Sequence, residues 1–261
     1  MRYFQKTFRP DIVDGDISKV IQAGATDLPF AAADILFDWV AVDIPLGTDA
    51  IVDGLVHMYG EDGGSQPGTD FNLLIAKTND GVAPTTLGEE NAGITGCYEL
   101  PDILIGMMKF EGDTNRNGNL DLTGHAGSIW HWNLASVHGH VAPVVIQPEN
   151  NALGGVTTNR IYIAGIAGGA FDFSTGVTVD GAITSDSATD ITVADVDPRK
   201  AFRVGDTVYL HDVDTALGTI ASMDSTSIIL NEAIAGGTNL ADDDELQNAQ
   251  PITITLGFKG R

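Results

Sequence analysis

Short apolar runs, separated by glycine, proline and small polar residues, make up most of this chain. The runs are rich in Val, Ile, Thr and aromatic residues, which favour extended backbone. This pattern predicts strands at 36–44, 51–59, 71–77, 103–110, 129–134, 141–147, 160–164, 177–179, 191–196, 207–211, 218–223, 227–230 and 252–258. Only 16–22 favours a helix, with Asp16 as its N-cap. Many short strands between turns are typical of β-sandwiches and β-barrels.

The composition of these runs changes near residue 176. The later pattern VGDTVYL and GTIASMDSTSIIL predicts three strands joined by turns, with Asp206 at one turn and Asp224 at the next. Roughly 80 residues are enough for such a unit to fold alone. The sequence therefore predicts an all-β protein: an N-terminal arm (1–19), a jelly-roll-like β-sandwich (20–175) and a small antiparallel β-barrel (176–261).

The charge balance excludes some classes of partner. Thirty-six acidic residues against 13 basic ones give a net charge of −23, which would repel the phosphates of nucleic acids and anionic membranes. The single cysteine, Cys97, cannot form an internal disulfide, and we interpret it as a small buried hydrophobic residue. We see neither an apolar signal segment near the N-terminus nor a run of transmembrane length, so we expect synthesis in a cytoplasm.

Basic residues are concentrated at the N-terminus, where they alternate with aromatic ones. One interpretation is a solvated, frayed end. The other is an arm that lies across an acidic neighbouring subunit and buries its aromatic rings there. On the second interpretation, removing 1–19 would abolish partner binding and leave the fold intact. The residues that would bind the partner are Arg2, Tyr3, Phe4, Lys6, Phe8 and Arg9.

The stretch EGDTNRNGNLDLTG, at 111–124, resembles a calcium-binding loop. Oxygen ligands at EF-hand spacing would come from Asp113, Asn115, Asn117, Asn119 and Asp121. Gly124 stands where the bidentate glutamate should be, and the preceding run predicts a strand rather than a helix. The alternative is a hairpin loop whose Asn and Asp side chains bond their own backbone, and we favour it. We therefore expect no cofactor, with weak calcium binding as the alternative.

Four histidines, at 125, 131, 138 and 140, lie near Trp130 and Trp132. They could supply zinc ligands, but exposed histidines on strands and loops are the simpler interpretation. The carboxylates are too numerous to single out a glycosidase pair, and neither a GxSxG nor a HExxH motif occurs. We therefore do not expect an enzyme.

Two regions of the sequence resemble virion proteins. The first region lies within residues 20 to 95 and contains QAGATDLPFAAADILFDWVAVDIPLGTDAI and DFNLLIAKTNDGVAPTTLGEENA. It resembles virion structural proteins of tailed marine phages. The pattern VGDTVYL…GTIASMDSTSIIL is similar to small β-barrel modules of phage capsid and tail proteins.

This resemblance implies an assembly protein of the virion, made in the host cytoplasm. Its first implication is a capsid decoration (cement) protein that binds the major capsid protein or other virion proteins, as a homo-oligomer with a trimer favoured. A tail, baseplate or fibre-base component is the second. A calcium-dependent, carbohydrate-binding β-sandwich remains an alternative from another class, and it would need exposed aromatic side chains.

Overall fold

Antiparallel strands account for nearly all of the regular structure. The structure is a computed structural model that describes residues 2–12, 30–45, 47–64, 68–112, 119–121, 127–133, 143–146, 160–184, 188–210, 215–234 and 238–260. Its strands are β1 (Arg2–Phe8), β2 (Ile35–Asp43), β3 (Thr48–Met58), β4 (Phe71–Ala76), β5 (Leu104–Phe110), β6 (Asn119–Asp121), β7 (Ser128–Asn133), β8 (Val144–Val145), β9 (Arg160–Ala167), β10 (Val177–Val179), β11 (Asp190–Asp195), β12 (Thr207–Leu210), β13 (Thr215–Met223), β14 (Ser227–Leu230), β15 (Leu246–Asn248) and β16 (Ile252–Gly260). The one short α-helix in the described part is α1 (Leu100–Ile103). The all-β prediction is confirmed, whereas the predicted helix at 16–22 lies outside the described residues.

The front sheet has the strand order β1-β16-β3-β7-β6, with β8 beside β3. Its strands alternate between buried and exposed positions, as expected for a sheet with one face toward the core. In β16, for example, Ile252, Ile254 and Leu256 are buried, whereas Thr253 and Thr255 are half-exposed between them. The front sheet therefore presents one face outward.

The back sheet has the order β2-β9-β4-β5 and packs against the inner face of the front sheet. Phe71 of β4 stacks on Phe110 of β5, with ring centroids 4.6 Å apart, and meets Trp130 of the front sheet edge to face at 5.5 Å. The two sheets approach closely at Gly54, where an added Cβ would lie 2.6 Å from Cε of Met108. These contacts form one aromatic-rich sandwich core.

Residues 77–103 cover the outer face of the back sheet. Leu87, Cys97 and Ile103 of this segment form a second core with Leu74 and Tyr162 of the back sheet. The two inner strands of the back sheet, β4 and β9, are therefore buried on both faces. This explains the almost continuous apolar run of β9, RIYIAGIA, which lacks the alternation of the front-sheet strands.

The barrel sheet has the order β10-β11-β14-β13-β12-β15 around a separate apolar core. A bridge from Thr178 of β10 to Glu245 brings its two edges together, and the Val179 N–H donates to the Asp244 carbonyl at 2.9 Å. The barrel is thus nearly closed. It extends from β10 to β15, and a third core lies inside it.

The first and last strands are neighbours in the front sheet. β1 pairs with β16 from Arg2 opposite Gly260 to Phe8 opposite Ile254. The predicted barrel range, 176–261, includes β16, but the structure places β16 in the sandwich. The barrel is therefore inserted between β9 and β16. Alternation predicts the strand and its buried face, but it does not identify the neighbouring strands. Segment 1–19 contains β1, so its removal takes a strand out of the front sheet, contrary to the expectation that the fold stays intact.

Candidate interaction surfaces

The candidate calcium ligands lie in and next to β6. Asp113, Asn115 and Asn117 are outside the described residues, and the backbone of Asn119 and Asp121 pairs with β7. Within the described ranges, the structure brings together no group of three or more His, Cys, Asp or Glu side chains that could hold a metal ion. Calcium binding by this loop stays a prediction.

Of the four clustered histidines, the described part of the chain includes only His131. Its Nε2 lies 2.8 Å from Oδ1 of Asp53, on the outer face of the front sheet. Trp130, next to it, is fully buried and donates its Nε1–H to the Thr69 carbonyl at 3.3 Å. Trp39 is half-buried. These two tryptophans therefore serve packing rather than an exposed platform.

The predicted arm is part of the folded chain. The ring of Phe4 stacks on Phe258 at 5.1 Å, and Phe8 packs against the sandwich core. Tyr3 is 67% exposed, and Arg2 and Lys6 are also exposed. Partner binding by these residues stays a prediction, and it rests on the exposed members of the set.

Arg9, the last member of the predicted arm, connects the sandwich to the barrel. Its guanidinium donates to both carboxylate oxygens of Asp206 and to the Gln250 carbonyl. Asp206 is completely buried and also accepts from the Arg203 N–H at 2.8 Å and from Asn248 Nδ2 at 2.9 Å. The sequence pattern identifies Asp206 only as a turn residue, because nothing local indicates the distant arginine that pairs with it.

A strained turn holds one aromatic side chain in solvent. Tyr98 is 92% exposed, and it follows the buried Cys97, whose φ of 52° is in the left-handed region. The Glu99 carboxylate accepts from the Thr85 N–H and hydroxyl, both at 2.8 Å. Trp39 Nε1 donates to the Thr85 carbonyl at 3.0 Å. These bonds tie the turn to β2 through the side chain of Trp39, so Tyr98 projects from an anchored support.

The electrostatics of this turn agree with its geometry. The hydrogen bond from the Thr85 N–H lowers the pKa of Glu99 below its usual value, so this carboxylate stays charged at neutral pH. Burial raises the pKa of the Cys97 thiol, and the nearby Glu99 charge raises it further. Cys97 therefore stays a neutral thiol at pH 7, in agreement with its interpretation as a buried apolar residue.

Four large apolar side chains are exposed on or directly beside the segment that covers the back sheet. We define the Tyr98 surface as the exposed residues Val82, Ile94, Tyr98 and Leu104. Thr85, bonded to Glu99, lies three residues after Val82. Ile103, which precedes Leu104, accepts a hydrogen bond from the Lys77 N–H where β4 ends. Ile94 precedes Thr95, whose N–H donates to the Leu87 carbonyl at 3.0 Å.

The segment that carries the Tyr98 surface is acidic. Segment 77–104 contains five of them and a single basic residue, Lys77; the five are Asp80, Glu89, Glu90, Glu99 and Asp102. The sequence does not reveal this surface, because exposed apolar residues in a loop look the same in a sequence as buried ones.

Comparison of the chain with protein-family models gives no match, and a search of curated proteins gives none either. A separate structural observation concerns membranes: in the described ranges, none of the helices combines the length and apolar character needed to cross one.

Proposed function

We propose that this chain is a structural protein of a phage virion, and specifically a decoration protein that binds and stabilises the capsid shell. The resemblance of residues 20 to 95 and of the barrel region to virion proteins supports this proposal. The observation that carries it is the Tyr98 surface, which exposes apolar side chains on a segment anchored to the sandwich. A large aromatic ring that is 92% exposed on an anchored turn suits an anchor that inserts into a partner protein.

The support under this surface suits binding rather than movement. The segment that carries Tyr98 buries Leu87, Cys97 and Ile103 against the back sheet, so its backbone is held by a core. A backbone that is already ordered loses little further conformational entropy when the side chain it carries binds a partner. Aromatic anchors of this kind commonly dominate binding energy at interfaces.

The proposal includes a partner and a location. The partner is the major capsid protein or another virion protein, and the chain is a homo-oligomer, with a trimer favoured. The protein is made in the host cytoplasm and ends in the virion. The net charge of −23 supports a protein partner rather than nucleic acid or an anionic membrane.

The deciding experiment is to locate the protein on purified particles by gold-labelled antibody and electron microscopy. Label over the capsid shell is the expected result. Label confined to the tail or baseplate would assign the protein there instead. Particles that lack the protein altogether would contradict the virion proposal.

The oligomeric state can be measured separately by light scattering after size exclusion, in EDTA and again with calcium. A trimer in both conditions is expected. A trimer that forms only with calcium would indicate that loop 111–124 binds the ion at or near an interface. A monomer in both would contradict the trimer.

A further inference from the structure

We infer that the Tyr98 surface docks into an apolar pocket with a basic rim on a different protein, so that it forms a heterologous contact rather than a self-contact. This inference rests on the proposed function, because it specifies the chemistry of the virion partner. It combines three observations: the exposure of Tyr98, the anchoring of its turn, and the charge around it.

The exposure and the strain fall on adjacent residues of one turn. Tyr98 is 92% exposed although the neighbouring Cys97 is buried and has a positive φ. A left-handed conformation at a residue other than glycine costs free energy, and such strain persists where the surroundings over-determine it. Here the buried thiol and the Glu99–Thr85 hydrogen bonds hold the turn, and the phenol ring is directed outward.

The charge distribution determines the kind of partner. The segment that carries the Tyr98 surface, 77–104, contains five carboxylates and one basic residue, Lys77, and is therefore acidic. Two copies of the chain that met face to face here would bring two such sets together, and like charges across an interface are costly. A partner with lysine or arginine around its pocket would instead be attracted before contact.

Variants at four positions separate the roles of ring, charge and general exposure. Tyr98→Ala removes the ring, and Tyr98→Phe keeps it. The double variant Asp80→Asn with Asp102→Asn removes two negative charges from segment 77–104. Asparagine tolerates the left-handed conformation at position 80, where φ is 50°. Val204→Ala truncates a side chain that is 63% exposed on the barrel and serves as the matched control.

The probe is a preparation of phage particles assembled from a genome that lacks this gene, and binding is measured by co-sedimentation. Wild type, Tyr98→Phe and Val204→Ala should bind within about threefold of one another. Tyr98→Ala should bind at least tenfold more weakly, as expected for an aromatic anchor. The double charge variant should bind more weakly at low salt, and its affinity should depend less on salt.

Three results would overturn the inference. If Tyr98→Ala binds the particles with wild-type affinity, the Tyr98 surface is not the contact, although the proposed function is unaffected. Loss of the wild-type oligomer in Tyr98→Ala, measured by light scattering, would make the surface a self-contact. If the wild-type protein does not bind the particles, both the proposed function and this inference are contradicted. Unchanged thermal unfolding of Tyr98→Ala confirms that weaker binding does not reflect misfolding.

Discussion

Replacing Asp206 by asparagine tests how the sandwich and barrel are held together. The substitution preserves the shape of the side chain and removes its charge. Asp206 is fully buried and accepts from Arg9, from the Arg203 N–H and from Asn248. An asparagine in its place would present an NH₂ group to donors that already converge on it, and it would leave the Arg9 guanidinium without its counter-ion.

The expected cost follows from the burial of the pair. Removing one partner of a buried ion pair costs about 3–5 kcal/mol. Because the Arg9 side chain is 23% exposed, water relieves part of this penalty, and we expect a loss of roughly 2–4 kcal/mol. For a chain of this size, that loss corresponds to a fall in melting temperature of about 5–15 °C.

The assay is urea and thermal unfolding followed by two signals. The three tryptophans, at 39, 130 and 132, all precede the barrel, so tryptophan fluorescence reports on the sandwich while circular dichroism reports on both units. In Asp206→Asn the two transitions should separate, because the connection between the units is weakened.

A matched control makes this result specific. Asp43→Asn breaks the Asp43–Arg160 pair, whose side chains are 72% and 43% exposed, and should cost at most about 1 kcal/mol. In Arg9→Met with Asp206→Asn, the total cost should be smaller than the sum of the two single losses by roughly 1–3 kcal/mol. A loss from Asp206→Asn no larger than that from Asp43→Asn, or strict additivity in the double variant, would refute the reasoning.

Four further outcomes are expected. Gly54→Ala should destabilise the protein by about 1 kcal/mol in urea unfolding, because the flexible end of Met108 must move away from the new methyl group and the Phe110 ring lies only 3.1 Å away; a gain in stability would contradict this reasoning. The isolated fragment 176–250 should give a cooperative β-type unfolding transition, whereas 1–175, which lacks β16, should not. Cys97 should resist a thiol reagent at pH 8 until urea unfolds the chain, and fast labelling of the native protein would refute its burial. The pKa of Asp70 lies below its usual value, because its burial, which raises the pKa, is outweighed by bonds from Lys109 at 2.6 Å and the Gly112 N–H at 2.9 Å. Its contribution to stability is therefore present above the unfolded pKa, near 3.8, and is lost as the pH falls through the lower folded value, so Asp70→Asn should unfold with a weaker acid dependence.

Most strands could be predicted from the sequence, because burial leaves a local signature. The predicted runs 177–179 and 227–230 coincide with β10 and β14, and 71–77 differs from β4 by one residue. The sequence pattern does not predict β1, because its interleaved aromatic and basic residues suggest an arm instead. The pattern RYFQKTF also suits an edge strand, in which Phe4 and Phe8 face the core and charged residues limit pairing with other chains.

Sheet neighbours and sites depended on contacts between residues distant in sequence, which local patterns do not reveal. Arg9 and Asp206 are 197 positions apart, and each alone looks like an ordinary polar residue. The same holds for Glu99, whose bonds to Thr85 explain why Tyr98 is exposed. The length of the loop at 77–103 was visible in the sequence, but the core it forms over the back sheet was not.

The position of β16 between β1 and β3 determines the order in which this protein can fold during synthesis. All barrel strands leave the ribosome before β16 does, so the barrel can close while the front sheet still lacks an inner strand. β1 must wait for a partner about 250 positions later, a separation that ordinarily slows folding. The nearly closed barrel reduces the effective length of this connection. Its edges meet at Thr178 and Glu245, so the chain that leaves it re-enters close to where it began, and β16 is delivered to the sandwich across a short loop rather than a long one.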